Sequence, residues 1–270
     1  MTDQSSTRPV VLSIAGLDPS GGAGIVADIK TIASFGCFPV AVISSLTFQN
    51  TTGVFGATHQ SPAVIRSQID PIISDLAVAA VKTGMLPTAD IINEVARAFR
   101  ETGLPAPVVD PVMRATSGDE LIESTALDTL KSELFPLARV VTPNIPEAER
   151  LVGFAIQNVD DMRRAASAIQ QLGARAVLLK GGHKRLQKEE NQTAQAIDIL
   201  LDEYGVFREF SAEFVEVGEV HGSGCTLSAA IAASLGKELE LADAVGEAKR
   251  YVTERIRLAQ PLGHGARPIQ

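Results

Sequence analysis

Apolar residues in this chain fall into short runs that alternate with helix-spaced apolar positions. Residues 10–15 read as a buried strand ended by Gly16, and Ile25, Ile29 and Ile32 mark one helical face beyond the loop 18–24. Residues 38–46 are a second run rich in β-branched side chains, bounded by Gly36 and by polar residues 49–52. Ile65, Ile69, Ile72 and Leu76 predict a helix, with a strand to follow near 79–82. The alternation continues as helix 88–101, strand 107–110, helix 124–134, strand 138–142, helix 160–172 and strand 176–180. Runs 195–201 and 206–211, parted by Glu203-Tyr204-Gly205, read as a hairpin, and helices near 224–236 and 240–258 follow.

Such alternation predicts an α/β fold, a central mostly parallel β-sheet with helices on both faces. No repeat, low-complexity tract or linker divides residues 10–270, so one domain is expected, behind a disordered tail over residues 1–9. In these sheets ligands sit beyond the carboxyl ends of the strands. The polar clusters at 16–24, 49–53, 82–86, 110–119, 142–147 and 180–184 each follow a strand, as a shared cleft requires.

Composition narrows the function. With 45% apolar and 21% charged residues among 270, the chain has the make-up of a soluble globular protein able to bury a large core. A net charge of -8 argues against a general nucleic-acid or anionic-membrane surface. Two cysteines far apart, Cys37 and Cys225, suggest neither a disulfide framework nor a metal site, which fits a reducing cytoplasm. Residues 1–9 lack the pattern of a signal peptide, and no apolar run reaches the roughly 18–20 residues that span a bilayer.

The most suggestive chemistry lies at His221-Gly222-Ser223-Gly224-Cys225, ahead of Leu227, Ile231 and Leu235 on one helical face. Glycines at a helix mouth leave backbone N–H groups pointing outward, and with the helix dipole they suit a phosphate or a developing negative charge. Cys225 stands in the same field, where a thiolate is favoured. A tight turn into a core helix, with a buried thiol, is an equally good reading of the segment alone.

Other motifs are weaker. Gly22-Ala23-Gly24-Ile25-Val26-Ala27 formally matches the dinucleotide fingerprint, but no Asp or Glu occurs between Asp28 and Asp70 to hold a ribose. NAD is therefore rejected as the first reading, and the absence of G-x-x-x-x-G-K-[ST] excludes a P-loop. Asn144 and Glu147 suit a magnesium ion held through its waters, but locally the stronger reading is a capping box with Pro146 in the first turn. Lys180-Gly181-Gly182-His183 ends a strand, where a lysine can reach phosphate oxygens; a surface turn is the alternative, and His183 reads as structural. Asp110 places a carboxylate at another strand end. Gln49 has an amide able to donate and accept at the edge of a heterocycle.

Taken together these segments resemble the hydroxymethylpyrimidine/phosphomethylpyrimidine kinases of thiamine biosynthesis, within the ribokinase-like superfamily. The resemblance runs from about Val10 to Gly263 through seven ordered motifs: 15–25, 49–51, 82–86, 109–113, 142–148, 180–183 and 221–229. It implies ATP- and Mg2+-dependent phosphorylation of the pyrimidine's hydroxymethyl group, then of the monophosphate, by a homodimer. It implies that Gln49 reads the ring, with Gly16, Asp18, Met85 and Val112 around the pocket. Gly222, Ser223, Gly224 and Cys225 match the anion hole, and Cys225 either takes the hydroxyl proton or positions the hydroxyl. Asn144 and Glu147 match the phosphate and magnesium motif, with Asp110 as a further metal-site carboxylate. Lys180 and Gly182 match the nucleotide side. Thr116, Val220 and Val26 depart from lysine, threonine and glutamine common in the family, and the loss of a charge at 116 bears on the second phosphorylation. The competing readings are a pyridoxal or pyridoxine kinase of the same superfamily, and a non-catalytic ligand-binding protein on a kinase scaffold.

Overall fold

A computed structural model describes residues 8–182 and 195–269. Its centre is a nine-stranded sheet built from β1 (Val10–Leu17), β2 (Phe38–Asn50), β3 (Gly53–His59), β4 (Val78–Thr83), β5 (Val108–Val109), β6 (Val140–Val141), β7 (Val177–Lys180), β8 (Gln195–Leu201) and β9 (Phe207–Glu213). The order is β3-β2-β1-β4-β5-β6-β7-β8-β9. Neighbours from β2 through β7 run parallel, while β3, β8 and β9 are antiparallel additions at the two edges.

Helices cover both faces because the central strands are apolar on both. In β1 the side chains of Leu12 and Ile14 enter one core and Val11 the other. The first core packs α2 (Pro62–Asp75), α3 (Ala89–Thr102), α4 (Ala126–Thr129), α5 (Ile145–Val152) and α6 (Val159–Gln170); the second packs α1 (Gly24–Ser34), α7 (Ser223–Gly236) and α8 (Leu241–Arg257). The predicted α/β architecture, a mostly parallel sheet between two helical layers, is the one observed.

Several boundaries move. β1 does not stop at Gly16 but runs on to Leu17, with a register shift between Ala15 and Gly16. β2 extends to Asn50 because β3, unforeseen in the sequence, pairs back on it and places Gln49 opposite Val54. The helix expected over 124–134 breaks into α4, a π-turn at Leu130–Leu134 and a 3-10 turn at Phe135–Leu137; Pro136, lacking an N–H, cannot prolong an α-helix there. Strands 107–110 and 138–142 shrink to two-residue ladders. A small parallel pair, β10 (Val220–His221) with β11 (Arg267–Pro268), was also not expected. The tail over 1–7 and His183 lie outside the described residues. Among the described residues no helix is long and apolar enough to cross a membrane.

The chain leaves β1 to one side for β2 and returns to the other for β4, a topological switch that opens a crevice at the carboxyl ends of these strands.

Candidate active site

That crevice is the mouth of a cavity of about 810 Å³. Gly16, next to the last residue of β1, faces it and Lys82 and Met85 enter from the end of β4, while Asp110, Asn144 and Lys180 come from the ends of β5, β6 and β7. Every residue singled out from the sequence for the site, from Gly16 to Cys225, lines this one cavity.

The α7 mouth is open. Gly222 is its N-cap at φ 86° and ψ 7°, and no side chain caps it. The N–H groups of Ser223, Gly224 and Cys225 therefore lack intrahelical partners and, with the dipole, favour negative charge. Gly222 is also pressed against the first glycine loop, since a Cβ there would stand 1.8 Å from the Gly22 carbonyl oxygen. Gly24 is similarly confined, since a Cβ there would stand 2.2 Å from the Gly16 carbonyl oxygen. These glycines hold two loops in backbone contact, which accounts for the loop 18–24 without a dinucleotide.

Cys225 follows the second of its two sequence readings. It retains some exposed surface, yet the surrounding protein shields its sulfur so well that burial pushes the thiol up to about 11. Lys82 and a backbone hydrogen bond from Gly24 work in the opposite direction, while Asp110 and Asp28 add to the rise. The helix-mouth field is outweighed, and of the two readings open in the sequence the buried thiol describes the resting group at neutral pH.

Beside the helix mouth sits a buried charged cluster. Lys180 Nζ donates to Asp110 Oδ1 at 2.9 Å, and lies 3.1 Å from where a Cβ on Gly224 would stand. Asp110 also accepts from Thr142 and Ser228, each at 3.3 Å. Burial works against the Lys180 charge, but Asp110 and Glu147 raise its pKa and keep it an ammonium.

Asn144 and Glu147 form a complete capping box on α5: the Asn144 side chain accepts from the Glu147 N–H at 2.9 Å, and Glu147 Oε2 accepts from the Asn144 N–H at 2.8 Å. The structural role read from the sequence is thus present. It does not use Glu147 fully, because burial pushes this carboxyl up to about 7 even against the pull of Lys180. A carboxyl held so far from its ordinary value suits a divalent cation, which would restore the anion. Among the described residues there is no cluster of three metal-ligating side chains, so such a cation needs phosphate and water oxygens too. Asp110 fits less well as a ligand, being already paired with Lys180.

Asp18 lines the wall with both oxygens engaged by protein. Oδ1 accepts from the Ser20 N–H and hydroxyl at 2.8 and 2.7 Å, while Oδ2 accepts from the Ala23 N–H at 2.9 Å and stands 2.8 Å from His221 Nε2. Burial works against its charge, yet the His221 and Ser20 hydrogen bonds hold its pKa below the ordinary value. His221 also meets Thr116 Oγ1 through Nδ1 at 3.0 Å and the Gln49 amide at 3.0 Å. Neither His221 nor Lys82 was assigned a role from the sequence, since their partners lie tens to hundreds of residues away.

The far arm of the cavity is apolar, with Val252 and Ile256 of α8 beside Lys249, whose Nζ donates to Asp198 at 2.7 Å. Asp198 in turn accepts from the Gly181 N–H at 2.9 Å, which fixes the turn leading to Gly182.

The chain matches the phosphomethylpyrimidine kinase family over residues 18–270. It belongs to that family. It is 46% identical, over 97% of its length, to the thiamine biosynthesis bifunctional protein ThiED of Geobacter sulfurreducens, of which it spans only 52%. It is 42% identical to the hydroxymethylpyrimidine/phosphomethylpyrimidine kinase of Mycobacterium bovis, covering 97% of this chain and 94% of the relative. An ADP complex of Bacillus subtilis pyridoxal kinase superposes with a TM-score of 0.87 at 35% identity, covering 98% of this chain and 97% of that one.

Proposed function

We propose that this family member transfers the terminal phosphoryl group of ATP to the hydroxymethyl oxygen of 4-amino-5-hydroxymethyl-2-methylpyrimidine, and then to the resulting monophosphate. One observation carries this reading: the uncapped mouth of α7, the Lys180–Asp110 pair and the Gln49 amide all face one cavity.

The alcohol oxygen forms a bond to the phosphorus as the bond to the ADP oxygen breaks, and negative charge spreads over the moving group. Catalysis of such a transfer is mostly alignment and charge stabilisation. The N–H groups of Ser223, Gly224 and Cys225 supply fixed donors for that charge, and Lys180 adds a cation that Asp110 keeps in place. Cys225, as a neutral thiol, aligns the alcohol rather than abstracting its proton; the proton leaves late, to a phosphoryl oxygen. Glu147 and Asn144 would hold Mg2+, which when bound neutralises the phosphate chain, while Gly182 and the apolar face of Val252 and Ile256 accept the nucleotide. Gly16, Met85 and Val112 pack about the ring.

A reducing cytoplasm suits Cys37 and Cys225, both free thiols. The exposed Phe48 and Phe55 on the β2–β3 hairpin support self-association as a homodimer; light scattering at the monomer mass would contradict it.

The similarity to a pyridoxal kinase favours the second reading, phosphorylation of pyridoxal or pyridoxine. A panel of hydroxymethylpyrimidine, its monophosphate, pyridoxal and pyridoxine with ATP decides between them. The first reading expects the highest kcat/KM for hydroxymethylpyrimidine, and the reverse ranking rejects it.

A further inference from the structure

The contacts around Gln49 contain a conflict of hydrogen supply. The amide nitrogen lies 3.0 Å from His221 Nε2, and that same ring nitrogen lies 2.8 Å from Asp18 Oδ2. A carboxylate at that distance demands an N–H on Nε2, so Nε2 has no lone pair to offer an amide N–H. On the other side, Thr47 Oγ1 lies 2.9 Å from the Leu17 carbonyl oxygen and 3.2 Å from the Gln49 amide oxygen. The one hydroxyl proton is then divided between two acceptors.

A half-turn of the Gln49 amide replaces the donor–donor clash at Nε2 with a shared N–H and leaves the Thr47 proton to Leu17 alone, and hydrogen supply decides that choice. Its oxygen then accepts from the Nε2–H that Asp18 also accepts. Its NH2 donates to Thr47, whose own proton goes to Leu17. The result holds whether His221 Nδ1 accepts from Thr116 or carries a proton of its own. With His221 and Thr47 satisfied, the amide keeps one lone pair and one N–H, side by side on a residue that lines the cavity. That pair is complementary to a ring nitrogen next to an exocyclic amine.

We propose that His221 is a specificity-determining positioning residue: tied to Asp18, it fixes the Gln49 carbonyl toward the imidazole so that the remaining donor and acceptor select a heterocycle with an amino group beside a ring nitrogen. This rests on the pyrimidine reading above and adds to it the group that sets the reading edge. Asp18 thereby acts on the ring through His221, although its own oxygens are fully engaged.

The test compares kcat/KM for hydroxymethylpyrimidine with that for the analogue lacking the 4-amino group. A site that pairs a buried amine rejects the analogue strongly. In His221→Leu the amide is free to turn, and the preference is expected to fall about tenfold or more, as in Gln49→Leu. The double variant is expected to be no worse than Gln49→Leu, since the two act as one unit. His221→Gln, which keeps an N–H near the Nε2 position, is expected to retain the preference within about threefold. Thermal unfolding and the KM for ATP serve as controls that a merely structural role would move. Should His221→Leu fail to fold, Thr47→Val removes the opposite anchor and is expected to lower the preference likewise.

An unchanged preference in His221→Leu or Thr47→Val, or multiplicative losses in the double variant, overturns the proposal while leaving the proposed activity intact. A wild-type enzyme that prefers pyridoxal rejects both.

Discussion

Lys82 Nζ donates to Asp28 Oδ2 at 2.8 Å, with both side chains sealed from solvent beneath the cavity. Burial is the largest influence and works against the Lys82 charge, but the charge and hydrogen bond of Asp28, with Asp110 assisting, together hold its pKa above the ordinary value, and the ammonium is retained. Ser13 donates to the same carboxylate oxygen at 2.6 Å, while Asp28 Oδ1 has no hydrogen-bond partner. Lys82→Met is therefore expected to leave a buried anion unpaired and to lower stability in urea by about 3–5 kcal/mol. Pairing it with Asp28→Asn should recover much of that loss. A single variant as stable as wild type would show that the pair is not ionised.

Gly222→Ala tests the contact between the two glycine loops. The left-handed φ alone costs about 1–2 kcal/mol, and the added Cβ would also collide with the Gly22 oxygen 1.8 Å away. The expected result is a kcat at least about tenfold lower, because the donors of α7 shift relative to the acceptor alcohol. Wild-type kcat in a folded variant would place the anion hole elsewhere.

A thiol raised to about 11 is ionised in only on the order of one molecule in several thousand at pH 7.5. Alkylation of Cys225 by iodoacetamide, read by peptide mass spectrometry, should be slow there and rise about tenfold per pH unit toward that value. A rate already on a plateau at pH 7.5 would identify a resting thiolate. In turnover, Cys225→Ala is expected to lower kcat far more than it raises the KM for ATP, as befits a group that acts on the reacting alcohol. An unchanged kcat would leave the thiol as packing only.

Glu147→Gln keeps an N3 side chain able to complete the capping box, so α5 should stay folded. It removes the anion proposed for magnesium. The Mg2+ concentration for half-maximal activity is expected to rise about tenfold, with the urea midpoint nearly unchanged. An unaltered magnesium dependence would assign the cation to other ligands.

The layered sheet was legible because helical spacing and β-branched runs alternate regularly, and the strand ends carry the polar clusters. What escaped was decided by distant partners. β3 contains Gly53, Gly56 and His59 and has little apolar pattern of its own; it exists because β2 offers it an edge. β10 and β11 are two-residue strands with no periodicity to detect. For Cys225 the local signal, a helix N-terminus, was correct, but the choice between thiolate and buried thiol needed the burial that only the fold supplies. The capping box at Asn144 and Glu147 was read correctly because its partners are three residues apart. The link from Asp18 to His221 spans 203 residues and has no local signature. Thr116 meets His221 at 3.0 Å, so this position has a place in the same network.

The pairing of Arg267–Pro268 with Val220–His221 ties the two glycine loops to a segment remote from both in sequence. Pro268 backs the first of them, its Cβ lying 3.2 Å from where a Cβ on Gly22 would stand. A chain cut back before Arg267 is expected to keep its nine-stranded sheet yet lose this brace, so that turnover falls while the fold persists.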